Sequence, residues 1–137
     1  MTMASGKLDF TTLRSALSRL AEGYKRYQSD VSDIQIRDGL IQRYEFTYEI
    51  SHKMIKRNLE MTSPSPEMFD GMPFPDLIRS ANEQHWLKGN WSSWKIFREM
   101  RALGTQTYID EVANQIVKEI PNFIAEASAL LRQLKSQ

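Results

Sequence analysis

The chain has no cysteine, which removes disulfides, thiolate metal sites and a cysteine nucleophile, and fits a reducing compartment. Histidine is nearly absent too. His52 and His85 are the only two, and neither has an Asp, Glu or His partner at a metal-ligand spacing such as H-x-x-x-H. No glycine-rich phosphate loop and no G-x-S-x-G elbow occurs, which argues against a P-loop NTPase and a serine hydrolase as the missing ligand spacing does against a metalloenzyme. Charge of one sign is lacking: 18 Lys+Arg stand against 17 Asp+Glu, a net charge of +1. Nothing global would gather nucleic acid or an anionic membrane, so any RNA contact must rest on a local patch. No uninterrupted apolar run approaches the roughly 18 residues of a membrane span. The opening MTMASGKLDF has no signal-peptide core. The expectation is a cytoplasmic protein without cofactor or resident metal.

What is present is helical periodicity. The 137 residues, 41% hydrophobic and 26% charged, suffice for one domain with one core. Residues 1–8 are small and polar and read as a flexible terminus, with a single helical bundle over 9–137. Asp9 can cap a first helix whose Phe10, Leu13, Leu17, Leu20 and Tyr24 recur at steps of three and four. It exits near Tyr27–Asp30. A long second helix spans about Ser32 to Glu60. At about 100° per residue, Leu40, Ile41, Tyr44, Tyr48, Ile55 and Leu59 share one broad face, and Phe46, Ile50 and Met54 widen it. The remainder is a narrow polar strip of Asp38, Gln42, Glu45, Glu49 and Lys56. A helix apolar over so much of its circumference is central to its fold or meets a second chain.

Residues 62–75 hold four of the five prolines and read as one long loop. A third helix starts at about Pro75, carries Leu77, Ile78, Ala81 and Trp86, and stops at Lys88-Gly89-Asn90. A fourth runs from Trp91 to Leu103, until Gly104-Thr105 interrupts it. The last covers about Tyr108 to Lys135, with Pro121 expected to kink it. The pattern predicts an all-α fold, an antiparallel up-down bundle of four to five helices.

The strip Asp38/Gln42/Glu45/Glu49 reads either as a cation- or substrate-positioning row or as the solvated face of a long helix. Trp86, Trp91 and Trp94 could stack on bases, yet aromatics at helical spacing are the ordinary content of a core. Arg37, Arg43, Arg57, Arg98 and Arg101 could meet phosphates or pair with carboxylates.

Two segments carry more than periodicity. RDGLIQRYEFTYEISHKMIKRNLE, Arg37 to Glu60, resembles the second helix of the nucleotidyltransferase substrate-binding family, the HepT-like branch of the HEPN proteins. Its typical form is R-D-G-x-I-Q-R-F-E-F-x-Y-E-x-x-W-K. WKIFREMRALGTQTY, Trp94 to Tyr108, resembles that family's W-x-x-M-x-x-x-R-N-x-x-x-H-x-Y signature, and FPDLIRSA resembles its third helix. The likeness extends from about Leu13 to Leu131.

The resemblance implies a helical bundle, a homodimer, and a minimal nucleotidyltransferase as partner. It also implies a metal-independent ribonuclease motif, R-x-x-x-x-H-x-Y, in the cleft between subunits. There the arginine holds the scissile phosphate, the histidine moves the proton, and the tyrosine accepts AMP to switch the toxin of a toxin–antitoxin pair off. Carried over, Arg101 and Tyr108 match, but the histidine position is Gln106 and the asparagine position is Ala102. An amide cannot take and return a proton near pH 7, a contribution typically worth about a hundred- to ten-thousand-fold. His52, where the family shows tryptophan, reads as a packing residue. The family's second-helix polar residues correspond to Arg37, Asp38, Gln42, Arg43 and Glu45, expected with Arg101 and Tyr108 to form a nucleotide, RNA or substrate surface. The expectation is a non-catalytic binding subunit, with a weakly active ribonuclease silenced at Tyr108 as the alternative.

Overall fold

The computed structural model describes residues 9–136, so the expectation for residues 1–8 falls outside it. Five α-helices follow in chain order: α1 Thr11–Ser29, α2 Ile34–Thr62, α3 Phe74–Glu83, α4 Trp91–Leu103 and α5 Asp110–Lys135. The all-α bundle expected from periodicity is what forms. Asp9 does cap the first turn, its Oδ1 accepting the Thr11 N–H at 2.9 Å, and this hydrogen bond holds its carboxyl below the usual range. Asp33 caps α2 by accepting from the Ile36 N–H. Asp30–Asp33 is short enough that α1 and α2 must lie antiparallel.

α2 is the axis of the bundle and packs against each of the other four helices. Leu40, Ile41, Tyr44, Tyr48, Ile55 and Leu59 are all buried, and each large aliphatic so placed contributes roughly 1.5–3 kcal/mol. Ile50 and Met54 pack at the edge of this core. Phe46 does not: its ring is 61% exposed, so the apolar arc is narrower than its composition suggested. Where α2 faces α1 and its own preceding turns, small hydroxyls replace hydrocarbon. Thr47 Oγ1 donates to the Arg43 carbonyl at 2.7 Å, and Ser51 Oγ to the Thr47 carbonyl at 2.9 Å, so neither is buried unpaired. Tyr44 Oη donates to the Phe97 carbonyl at 2.6 Å, which sets the register of α2 against α4. Trp94 and Trp86 are buried and Trp91 is half-buried, which places the tryptophans in packing rather than on a stacking surface.

Three boundaries differ from the sequence reading. The 62–75 segment contains a 3-10 turn, Pro66–Phe69, that buries Phe69 against the core. α5 starts at Asp110 and runs through Pro121 without interruption, so Tyr108 precedes the helix. α3 ends at Glu83, not beyond Trp86. The stop is a Schellman arrangement: the His85 N–H donates to the Asn82 carbonyl and the Trp86 N–H to the Ala81 carbonyl. His85 takes the left-handed position, φ 63°, that glycine usually fills. The following loop is tied to α5 by the buried Glu126, whose Oε1 accepts the Gly89 N–H at 2.9 Å. A β-carbon on Gly89 would come within 2.7 Å of the same carboxylate.

Replacing His85 by glycine relieves this backbone strain. His85→Gly is expected to raise stability by about 0.5–1 kcal/mol in denaturant melts, whereas His85→Val lowers it.

Candidate functional site

The polar strip of α2 survives as a ridge, and the end of α4 folds back onto it. Arg101, in the last turn of α4, lies one helical turn beyond Phe97, whose carbonyl is fixed to Tyr44. That register brings its guanidinium between two carboxylates. Nε donates to Glu49 Oε1 at 3.0 Å and Nη1 to Glu45 Oε2 at 3.4 Å. Gln42, Glu45, Phe46, Glu49 and Arg101 line an open cavity of about 290 Å³. Burial, the largest influence, lifts the Glu45 carboxyl above its ordinary value; Arg101 opposes this and Glu49 adds to it. Gly104, just past α4, lies against the Glu45 side chain. A β-carbon there would overlap the Glu45 carboxylate.

The connection from α4 to α5 passes through a 3-10 turn, Gly104–Gln106, and then runs back along α2. Arg37 secures its far end. Although expected at a binding surface, Arg37 is buried, with Nη2 donating to the Thr107 carbonyl at 3.5 Å and to Asp110 Oδ1 at 3.1 Å. Its Nε reaches Asp38 Oδ1 at 3.3 Å. Arg37 and Asp38 thus anchor the turn that carries Gln106 and Tyr108. From Arg37 to Glu45 is about 12 Å along the helix, so the anchor of the turn and the Arg101 cluster lie about two helical turns apart on α2. Tyr108 itself is 81% exposed and Gln106 is half-buried.

Arg43 departs from this group. It lies across α1, donating from Nη1 to the Arg19 carbonyl at 2.7 Å, with Glu22 Oε1 at 3.8 Å. The strip therefore divides into a staple (Arg37, Asp38), a carboxylate–guanidinium cluster (Glu45, Glu49, Arg101) and an α1-facing side (Arg43), with Gln42 exposed between the last two. His52 stacks on Phe74, ring centroids 3.8 Å apart, and its burial lowers its pKa, as suits a packing group. Arg57 and Arg98 are exposed. Among the described residues, no three His, Asp or Glu side chains converge as metal ligands, and no helix is long and apolar enough to cross a membrane. Arg19 escaped the sequence reading. It continues the polar row Thr12, Ser15, Arg19 at steps of three and four, a signal easily taken for a solvated face.

A sequence model described as nucleotidyltransferase substrate binding protein like matches residues 8–136. The chain belongs to this family. Among members and relatives, it is 36% identical over 99 residues to a Haemophilus influenzae protein named probable ribonuclease HepT, covering 72% of this chain and 67% of that one. It also superposes, with a TM-score of 0.86 and 29% identity, on a Haemophilus influenzae structure described as revealing the fold of a substrate binding domain of a nucleotidyltransferase. That match covers 93% of this chain and 99% of the other. The nucleotidyltransferase substrate-binding fold is thus the scaffold on which the Glu45/Glu49/Arg101 cluster sits.

The raised Glu45 carboxyl has a definite consequence for pH. A carboxyl whose folded pKa exceeds its unfolded one stabilises the fold fully below the unfolded value, and that contribution is lost as pH rises through the folded value. Thermal unfolding between pH 4 and 8, as an order-of-magnitude window around ordinary carboxyl titration, should show this component in the parent and not in Glu45→Gln.

Proposed function

We propose that this chain is a cytoplasmic binding subunit: a homodimer that docks a minimal nucleotidyltransferase and presents a nucleotide or substrate surface to it, with no ribonuclease chemistry of its own. The observation that carries this reading is the state of Arg101. Its guanidinium is engaged by Glu45 at 3.4 Å and Glu49 at 3.0 Å. With both carboxylates ionised the cluster has a formal charge of −1, which repels a phosphodiester instead of holding it. The proton-moving position is occupied by Gln106, an amide, so an incoming RNA would meet neither a free phosphate anchor nor an acid–base pair.

One observation favours the alternative, an active or weakly active ribonuclease toxin neutralised by AMP transfer. Tyr108 stands in the solvent at 81% exposure, where a phenol oxygen can reach another enzyme's active site. The relative named probable ribonuclease HepT bears on the same reading.

Incubation of the purified chain with total RNA separates the two. The expected result is no cleavage; scission that Arg101→Ala abolishes would establish the ribonuclease instead. Gln106→His supplies an imidazole on the turn that follows Arg101 and should create measurable cleavage, most clearly together with Glu49→Gln, which lifts one competing carboxylate. Co-purification should recover a nucleotidyltransferase, and its absence would count against the binding-subunit reading. Intact mass after co-expression with that enzyme should show one added adenylate if Tyr108 is an acceptor, and none in Tyr108→Phe.

A further inference from the structure

Beside the carboxylate cluster, on the other side of Gln42 and Phe46, α1 and α2 enclose a groove of about 620 Å³. Thr12, Ser15, Arg19, Gln42, Arg43 and Phe46 are among its lining residues, and no carboxylate is. The two neighbouring cavities share Gln42 and Phe46 yet are opposite in charge. Glu22, outside the lining, approaches Arg43 Nη1 at 3.8 Å, whereas Arg19 has no such partner among the described residues, so the groove lining keeps an excess of positive charge.

The arginines are poised differently. Arg43 is held in place by the Arg19 carbonyl at 2.7 Å, and Gly23 leaves the room it needs: a β-carbon there would lie 3.2 Å from Nη1. Its Nε and Nη2 have no hydrogen-bond partner among the described residues. Arg19 is exposed, and its guanidinium has no carboxylate partner among them. Two such guanidiniums repel each other unless an anion comes between them, and phosphate oxygens match their forked N–H geometry. Phe46, 61% exposed at the rim, offers a bare ring face of the kind on which bases stack. Gly39 leaves the wall beside Arg43 open, with nothing within 4 Å of where its β-carbon would stand. The volume lies within the roughly 300–1,000 Å³ of small-molecule sites.

We infer that the groove between α1 and α2 binds a nucleoside phosphate, with Arg19 and Arg43 on the phosphates and Phe46 against the base. Thr12, Ser15 and Gln42 supply hydrogen bonds to phosphate and sugar. This rests on the reading of the chain as a nucleotide- or substrate-binding subunit, and it moves the phosphate from Arg101, which its carboxylates occupy, to Arg19, which no motif marks.

The test is titration of the full chain, alone and in complex with its nucleotidyltransferase, with ATP, pyrophosphate and adenosine, read by calorimetry and by amide shifts. ATP and pyrophosphate should bind and perturb the amides of Thr12, Ser15 and Gly39. Arg19→Ala and Arg43→Lys should each weaken ATP about tenfold or more, the loss expected for one charge-assisted phosphate contact. Arg43→Lys keeps the charge that crosses α1, and circular dichroism confirms the fold of each variant. Phe46→Ala should weaken ATP and leave pyrophosphate unchanged, while Arg98→Ala, on an exposed face of α4, should change neither. ATP binding that survives Arg19→Ala but is lost in Arg101→Ala would overturn the inference and leave the binding-subunit reading standing. Failure of both ATP and pyrophosphate to bind, alone or in the complex, would also overturn it, while recovery of the nucleotidyltransferase decides the pairing separately. If Arg19→Ala changes the sedimentation coefficient and not the affinity, the groove is a face between copies of the chain and the inference falls.

Discussion

The structure depends above all on the burial of one face of α2, which packs against every other helix of the bundle. Leu40, Tyr44 and Tyr48 fix its depth, and the hydrogen bond from Tyr44 Oη to the Phe97 carbonyl fixes its sliding position against α4. The rest is geometry. Residue 101 stands one turn past 97 and residue 45 next to 44, so locking one pair delivers the other. The uncovered ridge is where α2 can meet a ligand without loosening the core, and Gln42, Arg43, Glu45, Phe46 and Glu49 are among the side chains it offers.

That ridge separates two environments for the same side-chain type. On one side Glu45 and Glu49, four residues apart and therefore stacked on one helical face, close around Arg101. On the other, Arg19 and Arg43 share a groove lined by hydroxyls, an amide and a ring. Arginine has five donors and no way to lose its charge, so its role is decided by what already sits within reach. Arg101 is supplied with counter-charge by its own chain. Arg19 is not. Gln42 and Phe46 border both cavities, so a ligand in the α1–α2 groove would lie directly beside the carboxylates, and its phosphates are better placed on the far, cationic wall.

Much of this was legible in the sequence, and what was not has identifiable causes. The five helices follow from apolar spacing because burial selects for it, and the resemblance around Arg37–Glu60 and Trp94–Tyr108 led to the family. Phe46 was misplaced because hydrophobicity was taken as a proxy for burial, whereas its neighbour across the ridge is open groove. The end of α3 was missed because the left-handed stop residue is His85, and a search for helix ends looks for glycine. Arg37 looked like a ligand-binding group, since nothing local announces that Asp110 and the Thr107 carbonyl, more than two helices away in sequence, will enclose it. Arg19 was invisible for the opposite reason: its row on α1 is the pattern of any solvated helix face, and only the approach of Arg43 turns it into the wall of a cavity.

The turn between α4 and α5 shows that scaffold and chemistry are separable here. Arg37 holds its distal end, Gly104 permits Glu45 to press against its start, and both contacts concern backbone placement. None involves the side chain of residue 106. A turn so anchored holds the backbone at Gln106 and Tyr108 whatever side chain stands at position 106, so the presentation of the phenol does not depend on it. The buried Arg37 is costly to maintain, since an arginine withdrawn from water needs every partner it can find, and it has Asp38, Asp110 and a carbonyl. Such an investment is explicable if the fold depends on where this turn sits, and Tyr108, the most exposed large side chain on it, is what that placement displays.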